Sequence, residues 1–207
     1  MQREAHAQAK SNPGRRRRIV FACAVLGMLG NAGHAAQTWQ LADLMRVVRE
    51  SPHRDASFTE RRTVKAVDGA LESSGTLHFQ PPDRLEKHTV KPKPENLIVD
   101  GDELILQRPQ HRDVRVSLEE RPELAALIES IRGTLAGDAS ALERVYRVQL
   151  EGDPTRWNLH LVPRSAAVAR IVANIRIAGS QGELARVEFQ FADGDRSEMT
   201  VSPDATP

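Results

Sequence analysis

The 207-residue sequence has one cysteine, Cys23, and eight aromatic residues. A single cysteine excludes an intramolecular disulfide and a zinc site built from several thiolates. The longest apolar run covers only the 11 residues 19–29, which is too short for a permanent membrane-spanning helix. The sequence also lacks a basic excess. Residues 37–207 hold 23 Lys and Arg against 27 Asp and Glu, which disfavours a nucleic-acid partner.

The first 36 residues have the three parts of a secretory signal peptide. Four arginines at 15–18 precede the apolar run, and mostly small residues follow it. Cleavage after Ala35 or after Ala36 fits this pattern, and a buried N-terminal helix is the alternative interpretation. Only four residues separate the arginines from Cys23, too few for the apolar core of a lipoprotein signal. We therefore predict a cleaved signal peptide at 1–36 and a single secreted domain at 37–207.

Eleven segments after residue 55 alternate apolar and polar side chains and are separated by turn residues. This pattern is typical of strands joined by short turns in an antiparallel meander. The predicted strands are 56–67, 71–80, 84–90, 96–99, 103–108, 113–118, 145–151, 157–163, 171–178, 184–191 and 196–201.

Two segments instead show apolar residues at helical spacing. Residues 39–50 are predicted to form an N-terminal helix with the stripe Leu41, Leu44, Met45 and Val48. Residues 122–131 are predicted to form a second helix, begun by Pro122 and ended by Gly133. Its apolar stripe consists of Leu124, Leu127, Ile128 and Ile131. A further helical turn is predicted at 139–143.

These elements predict an α+β fold that is mainly β, with about eleven antiparallel strands. A sheet of this width curls toward an incomplete barrel and encloses more volume than its own side chains fill. The two helical stripes can close the hollow in either of two ways. They can be permanent core, which the pattern alone favours, or a movable cover over a binding site for an apolar guest.

The sequence contains no pattern that indicates catalysis. HExxH, G-x-S-x-G, Walker and GxGxxG motifs are absent. The histidines of residues 37–207 lack metal-ligand spacing, and His78, His88 and His160 are predicted to face water because their strand neighbours are apolar. We therefore expect no catalytic residue, no metal site and no cofactor.

Glu60 and Arg62 share a predicted strand face with Phe58 and Val64. Polar groups on an otherwise apolar stripe indicate an inward ion pair or a contact with a lipid headgroup. A register in which both side chains face solvent explains the pattern equally well.

Four segments give the sequence a resemblance to the LolA family of periplasmic outer-membrane lipoprotein carriers. They are residues 56–60 (ASFTE), 74–79 (SGTLHF), 81–85 (PPDRL) and 95–104 (ENLIVDGDEL). The order of these motifs, after a signal peptide and one helix, covers the first half of the domain. Pro81 stands where the family carries an arginine that tethers the lid, so the resemblance is to a diverged member.

The resemblance implies an incomplete antiparallel barrel with a helical lid over an apolar cavity. It implies a soluble, monomeric periplasmic carrier, not an enzyme, that shields the acyl chains of a lipoprotein or another acylated lipid. Such a carrier takes cargo from an inner-membrane donor protein and delivers it to an outer-membrane acceptor protein. The alternative function is a periplasmic regulatory module that senses a lipid or peptide with the same half-barrel.

The resemblance to the LolA family, together with the alternation of residues along the strands, predicts which residues face the cargo. The predicted lipid-binding cavity consists of Phe58, Leu77, Phe79, Leu85, Leu97, Val99, Leu104 and Leu106. The predicted lid consists of Leu124, Leu127, Ile128 and Ile131.

Overall fold

A single antiparallel sheet of eleven strands dominates the computed structural model, which describes residues 39–51, 55–66 and 69–203. The strands are β1 (Asp55–Thr63), β2 (Ala70–Gln80), β3 (Arg84–Lys91), β4 (Glu95–Asp100), β5 (Glu103–Gln107), β6 (Val114–Ser117), β7 (Tyr146–Asp153), β8 (Arg156–Pro163), β9 (Val172–Ser180), β10 (Glu183–Phe191) and β11 (Arg196–Pro203). The helices are α1 (Leu41–Glu50), α2 (Pro122–Leu135), α3 (Ala139–Val145) and α4 (Ala166–Ala169).

The strand order is β6-β5-β4-β3-β2-β1-β11-β10-β9-β8-β7. Each half of the chain therefore forms a meander, and the two meanders join where β1 pairs with β11. At that junction Phe58 is opposite Val201 on one side and Gly75 on the other. Because β6 and β7 do not pair with each other, the sheet stays open. The predicted α+β, mainly β, incomplete barrel of eleven strands is confirmed.

Most element boundaries lie within two residues of the sequence prediction, and the end of β1 is a larger difference. β1 ends at Thr63 instead of residue 67, because both of its neighbours end their pairing there, at Ala70 and at Arg196. The backbone N–H of Lys65, two residues after the strand, donates to the Asp195 carboxylate. The short helix α4 has no counterpart in the prediction. The signal peptide predicted at 1–36 lies outside the described residues.

The second helix is longer than predicted because Gly133 does not end it. A Cβ at Gly133 would lie 3.1 Å from the Leu142 side chain, so glycine there allows α2 to pack closely on α3. The helix ends at Leu135, and Gly137 follows with φ of +64°, a conformation that favours glycine.

Two apolar clusters lie on the inner face of the sheet, which is the face covered by the helices. The larger cluster joins α1, α3 and α4 to β7–β10 and includes Leu44, Leu142, Tyr146, Trp157, Leu159, Ile175 and Ile177, all fully buried. The smaller cluster joins the start of α2 to β4–β6 through Val99, Leu104, Leu118 and Ile128. Helix α2 contributes to both, with Leu127, Ile131 and Leu135 on the larger cluster and Leu124 and Ile128 on the smaller.

Candidate functional site

An apolar cavity of about 290 Å³ lies between α2 and the middle strands of the sheet. The volume is close to the lower end of the range for ligand pockets, which begins at about 300 Å³. Its walls come from β1–β4, β10 and β11, and they include Ala56, Leu77, Phe79, Leu85, Leu97, Val99, Leu184, Val187, Phe189, Met199 and Val201. The cavity therefore lies over the junction of the two meanders, and members of both core clusters form its walls.

Helix α2 covers this cavity with Leu127, Ile128, Ile131 and Leu135. These positions recur at three- and four-residue spacing, so they share one face of the helix. Since neighbouring residues of α2 pack on both clusters, the helix bridges the two halves of the inner face. We refer to α2 as the lid.

A small number of polar contacts tie the lid to the rest of the domain. The Tyr146 hydroxyl donates to the Ala126 carbonyl oxygen at 2.6 Å, and burial raises the pKa of this tyrosine. The Arg132 guanidinium donates to the Gly101 carbonyl oxygen, in the β4–β5 turn, at 2.8 Å. Arg132 also forms an ion pair with Glu129 at 2.9 Å, which orients it. The contacts from Tyr146 and Arg132 hold the lid to opposite halves of the sheet.

Removing the Arg132 contact is expected to loosen the lid without unfolding the domain. In Arg132→Gln the hydrogen bond from a charged donor to the Gly101 carbonyl is lost, and such bonds contribute about 1.5–3 kcal/mol. Amide hydrogen exchange across Pro122–Leu135 should accelerate about tenfold or more, while the strands keep their protection. Arg121→Gln, at an exposed arginine just before the lid, is the control. Equal exchange rates in both variants would show that Arg132 does not hold the lid.

A partly buried ion pair, between Lys87 and Glu60, marks one end of the cavity. Glu60 accepts hydrogen bonds from the Lys87 ammonium, from the Ser197 hydroxyl at 2.5 Å and from the Ser73 hydroxyl at 3.4 Å. Burial acts to raise the pKa of Glu60, but the charge of Lys87 and these hydrogen bonds outweigh it and hold the pKa below its ordinary value. Of the interpretations left open for Glu60, namely an inward ion pair, a headgroup contact and a solvent-facing register, the structure shows an inward ion pair, formed with Lys87. Arg62 pairs elsewhere, with Asp195 at 3.5 Å.

The opposite end of the cavity is also polar. Ser51, Asp55, His78 and Glu183 line it beside the apolar residues. Asp55 and His78 face each other across β1 and β2 and approach to 2.5 Å, and His78 remains 40% exposed, as predicted. The cavity is thus an apolar chamber with hydrogen-bonding groups at both ends.

Five of the eight predicted cavity residues line the cavity: Leu77, Phe79, Leu85, Leu97 and Val99. The other three do not. The ring of Phe58 is covered by the Lys87 ammonium, 4.8 Å from its centroid, and Leu104 is packed in the smaller cluster. Leu106 is half-buried on β5, one strand beyond the cavity wall.

Three of the four predicted lid residues, Leu127, Ile128 and Ile131, line the cavity. Leu124 lies one turn earlier and packs against the smaller cluster instead. The prediction missed the wall from β10 and β11, which includes Val187, Phe189, Met199 and Val201. Their alternation in the sequence marks one face of each strand, but not that this face borders the cavity, because the β1–β11 pairing is not local.

The described residues contain no cluster of three or more His, Cys, Asp or Glu side chains that could hold a metal ion.

His160 was predicted to face water, but it is half-buried, and its Nε2 atom is buried without a hydrogen-bond partner. Across the part of the chain that the structure describes, no helix has the length and apolar character needed to cross a membrane.

The sequence matches one family of known proteins over most of its length. Residues 33–206 match the family described as outer membrane lipoprotein carrier protein LolA-like. No curated protein matches the sequence.

The solved structures that this chain resembles share little sequence with it. A LolA superfamily protein from Nitrosomonas europaea has 11% identity and a TM-score of 0.44, over 81% of this chain and 93% of that one. LprF from Mycobacterium bovis has 11% identity and a TM-score of 0.34, over 81% and 94%. In the MucA/MucB complex of Pseudomonas aeruginosa the values are 12% and 0.42, over 81% of this chain and 58% of the matched one.

The family match covers every helix and strand described above, and so it includes the lid and all the walls of the cavity. On this basis the chain belongs to the LolA-like family of outer membrane lipoprotein carrier proteins.

Proposed function

We propose that the protein is a periplasmic carrier that shields the acyl chains of a lipoprotein or another acylated lipid between the inner and outer membranes. The observation that carries this proposal is the apolar cavity beneath α2, at the junction of the two meanders. An apolar chamber with a helical cover and polar ends has the form that an amphiphile needs. It buries a hydrocarbon tail and leaves a hydrophilic end near water.

The energy of this binding is sufficient without covalent chemistry. Burying a methylene group yields about 0.8 kcal/mol, so a tail of roughly sixteen carbons gains on the order of 10 kcal/mol over water. Immobilising the lipid and moving the lid reduce this gain. A carrier needs that reduction, because cargo held with the full hydrophobic energy would not leave for an acceptor protein.

The size of the cavity implies that the lid moves on loading. A volume of about 290 Å³ is near the minimum for ligand pockets, so the structure represents a closed form with room for part of a cargo. Apolar contacts and the hydrogen bonds of Tyr146 and Arg132 hold the lid, and none of these is covalent. Displacing α2 enlarges the chamber and exposes its inner face to a donor or acceptor protein.

Titration with a dansyl-labelled fatty acid tests this function directly. We expect saturable fluorescence enhancement at one probe per protein, with palmitate displacing the probe. The chain length of the competitor should matter, because each methylene adds buried apolar surface. Weak, non-saturating fluorescence that is independent of protein folding would contradict the proposal.

A further inference from the structure

A second hollow, of about 650 Å³, begins where the apolar cavity ends. Glu60 and Lys87 line both spaces and therefore form the boundary between them. Beyond this boundary the lining of the inner face is mostly polar instead of apolar. The second hollow is lined by residues that include Arg62, Ser73, Thr89, Lys93, Glu95, Arg108 and His111. We call this second space the polar hollow.

Lys87 is the cation placed to meet a ligand at the boundary. The Glu60 carboxylate receives hydrogen bonds from three side chains, so its acceptor capacity is largely used. An ammonium has three donors, and the contact with Glu60 uses one of them. Lys87 is 25% exposed and lies over the Phe58 ring, which leaves it facing the two spaces.

The charges around the polar hollow favour an anion. Four lining side chains are cationic, namely Arg62, Lys87, Lys93 and Arg108, and three are carboxylates, namely Glu60, Glu72 and Glu95. Arg108 is held by Glu95 at 2.6 Å, and Arg62 is paired with a carboxylate outside the hollow. Lys87 is paired with Glu60 and keeps two further donors, and the lining as a whole has one more cationic side chain than carboxylates.

We propose that the polar hollow binds the anionic head of the amphiphile whose tail occupies the cavity. The head carries a phosphate or a carboxylate, and Lys87 donates to it at the point where tail and head join. This inference rests on the proposed function and narrows its cargo to lipids with an anionic head. Glu60 competes with the ligand for Lys87, so it weakens binding and allows release.

Two ligands that differ only in a phosphate group distinguish binding of the head from binding of the tail. Palmitoyl lysophosphatidic acid and monopalmitoylglycerol have the same acyl chain and glycerol, and only the first carries a phosphate. Both are titrated against the full protein, Glu60→Gln, and the double variant Glu60→Gln/Lys87→Met. The double variant removes both charges together, so that no buried carboxylate is left without its cation.

We expect Glu60→Gln to bind lysophosphatidic acid several-fold more tightly than the unmodified protein, because the competing carboxylate is gone. The double variant should bind it at least about tenfold more weakly than Glu60→Gln, since a charge-assisted hydrogen bond is lost. The affinity for monopalmitoylglycerol should change less than that for lysophosphatidic acid, so the ratio of the two affinities should shift across the three proteins. Glu50→Gln on α1, the same change at an exposed glutamate, should affect neither ligand.

The outcomes distinguish this inference from the function on which it depends. If neither ligand binds the unmodified protein, the carrier function is wrong. If both bind but the variants do not change their ratio, the carrier function stands and the anionic head site is overturned. Inorganic phosphate, tested alone as a competitor, should not displace lysophosphatidic acid, whereas displacement would assign the polar hollow to a free anion instead of a lipid.

Discussion

Leu127→Glu should abolish acyl-chain binding. Leu127 lies on the face of α2 that lines the cavity, so the new carboxylate would point into the space proposed for the acyl tail. A bound hydrocarbon would exclude water from this charge, and the effective penalty for burying an unpaired ion is several kcal/mol. Each 1.4 kcal/mol is a factor of ten, so affinity for a dansyl-labelled fatty acid should fall at least about a hundredfold.

The fold should survive this substitution, because the cavity gives the carboxylate access to water when no lipid is present. Circular dichroism and thermal unfolding check that requirement. Val90→Glu is the matched control, since Val90 is 62% exposed and lies outside the cavity wall. A Leu127→Glu protein that folds and loads lipid normally would reject the assignment of α2 as the lid.

Ala56→Phe should block the cavity with bulk instead of charge. The Ala56 side chain lines the cavity between Leu77 on β2 and Pro203 on β11, so a ring at this position projects into the space for the tail. Affinity for palmitate should fall about tenfold or more, and short-chain fatty acids should lose less. The free energy of unfolding should not fall by the 1–3 kcal/mol typical of an overfilled core, because the ring enters an existing void.

Ser57→Phe is the control for this substitution. Ser57 is the next residue along β1, and its exposed side chain points to the opposite face of the sheet. It adds the same ring without entering the cavity, so it should leave palmitate binding unchanged. Equal losses in both variants, or normal binding by a folded Ala56→Phe protein, would contradict the location of the tail.

Local patterns were enough to predict the strands and the main helices. Turn residues, such as those at 100–102, and period-two alternation are signals that extend over only a few positions of the sequence. All eleven predicted strands are present in the structure. Helix α2 was found because Pro122 and its apolar stripe are also local signals. The end of β1 was missed because residues 64–67 keep the alternation after both pairing partners have stopped.

The partner of Glu60 could not be predicted, because it depends on contacts between distant residues. Lys87 lies two strands away, and Ser197 belongs to β11, which reaches β1 only through the central pairing. The sequence indicated an inward polar group at position 60 but not which cation would neutralise it. For the same reason the β10 and β11 wall was missed, although Val187, Phe189 and Met199 are plainly apolar.

Native mass spectrometry of the protein purified from periplasm tests the central claim most directly. A tail enclosed beneath α2 should survive gentle ionisation, so we expect a one-to-one lipid adduct on the unmodified chain and none on Leu127→Glu. Fragmentation of the released lipid would reveal its acyl chains and head. An unmodified protein that carries no adduct, even after incubation with palmitoyl lysophosphatidic acid and palmitate, would contradict the account.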